Sequence, residues 1–228
     1  MSRPKPRLAL FDLDHTLLDG DSDVLWCEFL MDRDVLDRAA FAQRNAAMDR
    51  DYRAGTVSAQ AFSSFYVSTL AGRSAAQWQP LRLAFLQEVV APRIGPLARA
   101  LVQEHQSAGA LVVLTTATNR FLTELTAQEL GIEHLIATEC ETGADGLFTG
   151  HTLGTPNMRE GKVDRLHLWL AERGETLHGF DSWAYSDSAN DLPLLRAVNH
   201  AVVVHPDTRL AAEAQLRGWP VLRLHGAR

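Results

Sequence analysis

Two aspartates separated by one residue follow an apolar run near the start of the chain. Residues 8–12 read as a buried strand that delivers Asp12, and Asp14 comes two residues later. On an extended strand end, side chains two apart share a side, which would hold the two carboxylates close together. A cation between them would relieve their repulsion, so the pattern favours a divalent metal site with one carboxylate free to act chemically. Solvated turn residues are the alternative, because Asp is common after strands.

Two later strand ends carry polar residues of a matched kind. One predicted strand ends in Thr115 and Thr116, and another is followed by Asp187 and Asp191. In open parallel sheets the ligand site lies beyond the carboxyl ends of the strands, where these residues would meet Asp12. The sequence therefore predicts that hydroxyl and carboxylate groups converge at one edge of a sheet.

Lys162 opens the predicted helix before the last of these strands. Taken alone it reads as a solvated surface lysine. Beside paired carboxylates and a hydroxyl, it completes the set of groups that phosphoryl transfer requires. A carboxylate can accept a phosphoryl group, Mg²⁺ neutralises the charges, and a hydroxyl and an ammonium hold the phosphoryl oxygens. A second carboxylate can protonate the leaving oxygen and then activate water.

The order of the predicted elements explains how these residues would come together. From about residue 92 onward, strands alternate with helices, which is typical of a parallel sheet with right-handed crossovers. The stretch between the first strand and residue 91 reads as helices only. We therefore expect an α/β fold whose catalytic core comprises residues 1–20 and 92–228. An all-helical cap domain, residues 21–91, is inserted after the first strand.

Composition and charge argue against several classes of protein. The 228 residues are 46% hydrophobic and 22% charged, which suits a globular chain with a sizeable core. A net charge of −6 disfavours a nucleic-acid or anionic-membrane binder. The two cysteines form no CxxC pair and read as reduced thiols. We expect a cytoplasmic protein whose partner is a small phosphorylated metabolite, with no nucleic acid or membrane bound.

The motifs, taken in order, resemble those of the haloacid dehalogenase (HAD) superfamily of hydrolases. The resemblance is to the phosphoserine-phosphatase-like branch, subfamily IB, which carries a helical C1-type cap. It runs from Asp12 to Asp191 and covers most of the chain. Asp12-Leu-Asp14-His-Thr16 matches the first motif, and this implies that Asp12 is the nucleophile and Asp14 the general acid/base.

The remaining motifs imply a phosphate site. Thr116, followed by Ala117, resembles the second, phosphate-binding motif, with Thr115 as the competing choice one residue earlier. Lys162 follows a glycine as in the third motif, and Asn190 belongs to the fourth. By resemblance, Thr116, Ala117, Lys162 and Asn190 are the phosphate-binding residues.

The resemblance also implies a Mg²⁺ cofactor. Its ligands would be Asp12, Asp14, Asp187 and Asp191. In the family Asp14 contacts the metal through its backbone carbonyl, and the second aspartate of the fourth motif, here Asp191, does so through water.

The residues that would choose the substrate depart from the phosphoserine phosphatases. Those enzymes usually carry Ser-Gly-Gly at the second motif, where this chain has Thr116-Ala117-Thr118. They hold the substrate amine with a glutamate nine residues after the nucleophile, and the matching residue here is Asp21, one methylene shorter. Arg159 lies close enough to Lys162 in sequence to touch the substrate, or belongs to a turn that caps the helix.

The resemblance implies a magnesium-dependent phosphatase with a Rossmann-like core and a helical cap. It would hydrolyse a small phosphomonoester through an aspartyl phosphate, and the substrate would bear an amine, as phosphoserine and histidinol phosphate do. A phosphotransferase on the same fold and a non-catalytic phospho-ligand-binding module are the alternatives. The oligomeric state is left open between monomer and homodimer.

Overall fold

The computed structural model describes residues 4–226, apart from the side chain of Arg53, and contains a seven-stranded sheet. The strands are β1 (Arg7–Phe11), β2 (Leu111–Asn119), β3 (His134–Thr142), β4 (Phe148–Leu153), β5 (Asp181–Ser186), β6 (His200–Val204) and β7 (Val221–Leu222). Their order across the sheet is β4-β3-β2-β1-β5-β6-β7, and every neighbouring pair is parallel except the β3–β4 hairpin. The predicted α/β fold with a Rossmann-like, mostly parallel sheet is confirmed.

Nine α-helices occur in the described part of the chain. They are α1 (Ser22–Met31), α2 (Arg38–Ala54), α3 (Ala59–Val67), α4 (Ala75–Phe85), α5 (Pro96–Ser107), α6 (Arg120–Glu129), α7 (Glu160–Glu172), α8 (Leu192–Ala197) and α9 (Thr208–Arg217). The first four follow β1 without an intervening strand, and we call residues 21–91 the insert. Residues 1–3 and 227–228, which the predicted core domain includes, lie outside the described residues. No helix within residues 4–226 is both long and apolar enough to cross a membrane.

The sheet is covered on both faces, which explains the continuous apolar runs of its central strands. On β1, Ala9 and Phe11 belong to one hydrophobic cluster with residues of α5 and α6. Leu8 and Leu10 point the other way, into a cluster with residues of α7, α8 and α9. All four side chains are fully buried. This two-sided packing makes β1 the centre of a three-layer structure and fixes where Asp12 emerges.

The insert packs against the core through two groups of side chains. Trp26 of α1 contacts Trp78 and Phe85 of α4 edge-to-face and belongs to the same cluster as Phe11. A second cluster joins α1 and α3 to the loop before α7, and it consists of Cys27, Phe62, Phe65, Tyr66 and Met158. The insert is thereby held over the carboxyl ends of the strands.

Two strand ends differ from the predicted ones. β1 stops at Phe11, so Asp12 and Asp14 lie in the following loop, where His15 adopts a φ of 56°. The argument that strand geometry places both carboxylates on one side is therefore wrong. β2 continues to Asn119, and its register against β3 shifts between Thr116 and Asn119. Such bulges bend a strand locally and re-aim its side chains.

Candidate active site

Carboxylates from two strand ends meet around one buried lysine. Asp12 follows β1, and its backbone N–H donates to the Tyr185 carbonyl of β5, 3.0 Å away. The Lys162 Nζ lies 2.7 Å from Asp12 Oδ1 and 2.7 Å from Asp191 Oδ2. The Ser186 hydroxyl also donates to Asp191 Oδ2, over 2.7 Å. These side chains, which the sequence spreads over 180 positions (Asp12 to Asp191, counted inclusively), form a single network.

The charged side chains of this network are buried, and their burial shifts pKa values and affects the charge balance of the site. Lys162 is 2% exposed, so a surface position for this lysine is ruled out. Burial raises the pKa of Asp12, and Asp191 and Asp14 act in the same direction against the opposing effect of Lys162. Burial likewise raises the pKa of Asp187 well above its usual range, and Asp12 and Asp191 add to this. The cluster therefore holds more negative charge than one lysine offsets, and a further cation would stabilise it.

A glycine before Lys162 allows the helix to start where it does. A Cβ at Gly161 would lie 2.3 Å from the Pro156 carbonyl oxygen, a distance that no side chain could tolerate. The loop before α7 can therefore pack directly against the first turn of the helix. This close approach brings Lys162 to the strand ends, which gives the Gly-Lys pair a physical reason.

The Asp14 side chain receives hydrogen bonds from both the core and the insert. Its Oδ1 accepts the backbone N–H of Ser22, the first residue of α1, over 2.7 Å. Its Oδ2 accepts the hydroxyls of Thr118 at 2.9 Å and Thr116 at 3.4 Å. The carboxylate is therefore held at the boundary between the two parts of the molecule.

The two candidate threonines of β2 face different partners. Thr116 Oγ1 contacts Asp14 and accepts the Thr118 backbone N–H over 3.2 Å. Thr115 Oγ1 instead accepts from the Asn157 side-chain amide over 3.0 Å. Thr116 thus lies beside a catalytic candidate, whereas Thr115 helps to anchor the loop before α7. Ala117 lies at the bulge, and its carbonyl accepts the Thr138 hydroxyl over 2.7 Å.

Asn190 and Arg159 are directed toward the insert. Arg159 Nε donates to Asn190 Oδ1 over 3.1 Å, and its Nη2 donates to the Gly55 and Val57 carbonyls at 3.3 and 2.9 Å. Asn190 Nδ2 reaches the Tyr52 carbonyl at 3.4 Å. The two residues therefore connect the fourth motif to the end of α2 and the loop that follows it. Their predicted contacts with phosphate or substrate stay predictions.

Asp21 begins the insert as the N-cap of α1. Its Oδ1 accepts the Val24 backbone N–H over 3.0 Å, and the residue is 6% exposed. Burial and then Asp191, Asp12 and Asp187, with Asp21, raise the pKa of the Tyr52 phenol on α2 well above its usual range. Asp21 is thus buried at the start of the helix that it caps, and its predicted contact with the substrate stays a prediction.

Asp187 lines a cavity of about 760 Å³ at the edge of the site. His15, Asp19, His205 and His225 also line this cavity. The loop after β5 is fixed by Asp207, whose backbone N–H donates to the Asp187 carbonyl over 2.8 Å. Asp187 therefore has open space beside it, whereas Asp12 and Asp191 are enclosed by the protein.

The donor set suits a hard divalent cation. Asp12, Asp14, Asp187 and Asp191 supply carboxylate and carbonyl oxygens, and the charge balance of the cluster calls for an additional positive charge. Within residues 4–226, no three acidic, histidine or cysteine side chains form a ready-made metal cage. Mg²⁺ does not need one, because it keeps waters and takes substrate phosphate oxygens as ligands.

For three residues, the sequence did not predict their contacts with Asp14 or the second motif. They are Ser22, Thr118 and Asn157. Thr118 could have been found, since it lies two residues after Thr116, and side chains two apart in a strand share a side. Ser22 acts through its backbone, and no side-chain pattern reveals such a contact. Asn157 Nδ2 bridges β2 and β3 by contacting the Thr116 and Ile136 carbonyls, a role that requires the fold.

The fold is a mostly parallel sheet that gathers carboxylates at the carboxyl ends of its strands. Residues 9–196 match the family model described as haloacid dehalogenase-like hydrolase, and the chain belongs to this HAD family. A histidinol-phosphatase of Neisseria meningitidis serogroup C (strain 8013) is 44% identical over 216 residues, covering 94% of this chain and 97% of that protein. The phosphoserine phosphatase SerB1 of Mycobacterium tuberculosis (strain ATCC 25618 / H37Rv) is 34% identical over 93% of this chain and 69% of its own length.

Solved structures agree with the fold. A protein of unknown function from Bordetella pertussis Tohama I superposes with a TM-score of 0.91 at 42% identity, over 97% of this chain and all of that chain. A substrate-bound phosphoserine phosphatase superposes with a TM-score of 0.69 at 16% identity, over 97% of this chain and 94% of its own. The resemblance to the HAD superfamily, drawn from four short motifs, is confirmed.

Proposed function

We propose that this hydrolase is a magnesium-dependent phosphatase that passes the phosphoryl group of a small monoester to Asp12 and then to water. It is a phosphoric monoester hydrolase. One observation carries the proposal: Lys162 Nζ sits 2.7 Å from carboxylate oxygens of both Asp12 and Asp191 in a buried site. A phosphoryl group bound to Asp12 would place its oxygens beside this ammonium.

In the proposed first step, Asp12 Oδ attacks phosphorus while Asp14 protonates the leaving alkoxide. Asp14 then takes a proton from the water that hydrolyses the aspartyl phosphate. Lys162 and the Thr116 hydroxyl hold the phosphoryl oxygens as charge spreads over them. The 3.4 Å contact between Thr116 and Asp14 supports this arrangement, because it puts hydroxyl and proton carrier on the same side of the site.

Asp12, Asp187, the Asp14 backbone carbonyl and, through water, Asp191 would hold Mg²⁺. When bound, the ion supplies charge neutralisation between the carboxylates and the phosphate. The raised pKa values of Asp12 and Asp187 fit this role, since both carboxylates stand in need of a cation.

Residues 21–91 would act as a cap domain on a core of residues 1–20 and 92–228. The hydrogen bonds from Arg159 to the Gly55 and Val57 carbonyls support closure of the cap over the strand ends. A closed cap excludes bulk water from the aspartyl phosphate and limits the substrate to a small molecule.

The substrate bears an amine, and histidinol phosphate is the first candidate. Tyr66 of α3 lies in an acidic part of the insert, where burial and then the nearby Asp21 and other carboxyl groups, including Asp49, raise the pKa of its phenol. Negative charge attracts an ammonium and repels the carboxylate that phosphoserine carries but histidinol phosphate lacks. The 44% identical relative is named for histidinol phosphate, whereas the phosphoserine relative is more distant.

The experiment is a phosphate-release assay on the purified protein with phosphoserine, histidinol phosphate and sugar phosphates side by side. We expect turnover that requires Mg²⁺ and is lost with a chelator, with histidinol phosphate preferred. A preference for sugar phosphates would refute amine recognition. Transfer to added alcohols in place of water would identify a phosphotransferase, and binding without turnover would identify a non-catalytic module.

A further inference from the structure

Asp23, in the first turn of α1, is a buried carboxyl outside the motifs. It is 2% exposed, and its Oδ2 lies 3.1 Å from the Thr118 hydroxyl. Its Oδ1 is fully enclosed and has no hydrogen-bond partner among the described residues. A buried carboxyl group costs free energy unless hydrogen bonds or an opposite charge compensate for the lost water, so the contacts of Asp23 need an explanation.

The hydrogen bonds around the Thr118 hydroxyl require a proton from a neighbouring carboxyl group. The Thr118 Oγ1 lies within hydrogen-bond distance of Asp14 Oδ2 at 2.9 Å, Asp23 Oδ2 at 3.1 Å and the Ser22 hydroxyl at 3.0 Å. A hydroxyl has one proton to donate and two lone pairs to accept with. It therefore cannot donate to both carboxyl groups, and one of the two contacts needs a proton from the carboxyl side.

The proton belongs on Asp23, because the Asp14 oxygens already accept hydrogen bonds from the Ser22 backbone N–H and the Thr116 hydroxyl, whereas Asp23 Oδ1 accepts none. With Asp23 neutral, its O–H and the Ser22 O–H both donate to Thr118, and Thr118 donates to Asp14. The hydrogen bonds among these four side chains are then all satisfied, and only the enclosed carbonyl oxygen of Asp23 lacks a partner. Burial raises the pKa of Asp23 well above its usual range, with Asp21 and Asp14 adding to this, which agrees with the assignment.

We propose that Asp23 is a positioning residue that donates its proton to Thr118 and so directs the Thr118 hydroxyl onto Asp14. Asp23 and Ser22 belong to the insert, whereas Asp14 and Thr118 belong to the core. Packing of the insert against the core therefore completes the hydrogen bonds that orient the Asp14 side chain. The Ser22 backbone N–H, 2.7 Å from Asp14 Oδ1, is part of the same contact. This inference rests on the proposed role of Asp14 as general acid.

The test uses three phosphomonoesters and the intact protein. An amine-bearing alkyl phosphate and an amine-free alkyl phosphate both need a proton on the leaving oxygen, whereas p-nitrophenyl phosphate releases a stable phenolate. Asp23→Ala should lower kcat/KM for both alkyl esters roughly tenfold, a fraction of the ~10²–10⁴-fold that acid–base catalysis supplies. For p-nitrophenyl phosphate the change should stay within about threefold.

Two further variants decide the mechanism. Asp23→Asn keeps a donor for Thr118 without a charge and should restore most of the activity lost in Asp23→Ala. Thr118→Val should likewise lower kcat/KM for the two alkyl esters and spare p-nitrophenyl phosphate. The double variant with Asp23→Ala should lose little more activity than either single variant, because both substitutions remove the same hydrogen bond to Asp14. Glu28→Ala, which removes an exposed acid from the same helix, is the matched control and should leave all three substrates unaffected.

The other outcomes overturn the proposal. A loss confined to the amine-bearing ester would make Asp23 a substrate-binding carboxylate. Equal losses on all three esters would make it a folding residue, which thermal unfolding of Asp23→Ala would show independently. An Asn variant as poor as the Ala variant would mean that Asp23 works as an anion. If the wild-type protein itself hydrolyses none of the esters, the proposed function fails, and the role of Asp23 that rests on it fails with it.

Discussion

The charged network at the strand ends and the insert above it differ in how their buried polar groups are paired. In the core, Asp12, Lys162 and Asp191 are almost fully buried, and each charge meets an opposite charge at 2.7 Å. In the insert, several buried side-chain atoms have no hydrogen-bond partner among the described residues. These atoms are Asp23 Oδ1, Asn45 Oδ1, Ser63 Oγ, Tyr66 OH and Arg82 Nε, and the core has two of its own outside the Lys162 network, Asn157 Oδ1 and Arg165 Nε.

We propose that this difference reflects a division between chemistry in the core and substrate recognition in the insert. Unpaired buried polar atoms cost about 1–3 kcal/mol each, so a protein that keeps them gives up stability. The unpaired oxygen atoms of the insert can accept hydrogen bonds, and a donor-rich ligand such as an ammonium would satisfy those that it reaches. Substitutions of Asp12, Lys162 and Thr116 in the core should therefore change turnover for every substrate, whereas loss of the Asp21 charge in the insert should change which substrate is preferred.

The largest effect is expected from Asp12→Asn, which removes the proposed nucleophile and keeps its shape. Turnover should fall by more than about 10⁴-fold on all substrates, while the melting temperature stays close to that of the wild type. Steady-state kinetics and thermal unfolding measure the two quantities. Asp164→Asn, an exposed acid on α7, serves as the control. Substantial magnesium-dependent turnover by the Asn variant would remove Asp12 from the mechanism.

Lys162→Ala should be the next most damaging change and should affect both activity and folding. Loss of a charge aimed at the transition state lowers kcat/KM by about 10²–10³-fold. The buried Asp12 and Asp191 are left without their partner, which costs about 3–5 kcal/mol of unfolding free energy. Denaturant unfolding with and without Mg²⁺ measures this cost, and the added ion should recover part of it. A variant with unchanged stability and activity would contradict the buried network.

Adjacent threonines of β2 provide a matched pair for the phosphate site. Thr116→Val should lower kcat/KM about 10²-fold, since one hydroxyl donor to the phosphoryl oxygens is lost. Thr115→Val should stay within a few fold, because that hydroxyl serves Asn157 instead. Both variants bury the same volume, so unfolding free energies control for packing. A stronger effect at Thr115 would reverse the assignment of the second motif.

Thr115 and Thr116 show how much of the candidate site can be predicted from the sequence. It predicts that a polar pair ends β2 beside Asp12, because apolar runs mark buried strands and strand ends meet at one edge of the sheet. It cannot choose between Thr115 and Thr116, because the choice depends on which face the bulged strand turns toward Asp14. The hydrogen bond from the Ser22 backbone is invisible for the same reason, since only tertiary packing brings α1 to the loop after β1.

Asp21→Asn should have the smallest effect on chemistry and the clearest effect on recognition. Asn and Asp are equally good N-caps, so α1 and the fold should be retained. Loss of the negative charge removes a charge-assisted contact worth about 1.5–3 kcal/mol, which raises KM roughly 10–100-fold for an amine-bearing substrate. KM for an amine-free ester and kcat for both should change by less than about threefold, which steady-state kinetics on the two esters would show. Equal effects on both esters would mean that Asp21 only builds the helix, and the division between a catalytic core and a recognising insert would then have to rest on other residues.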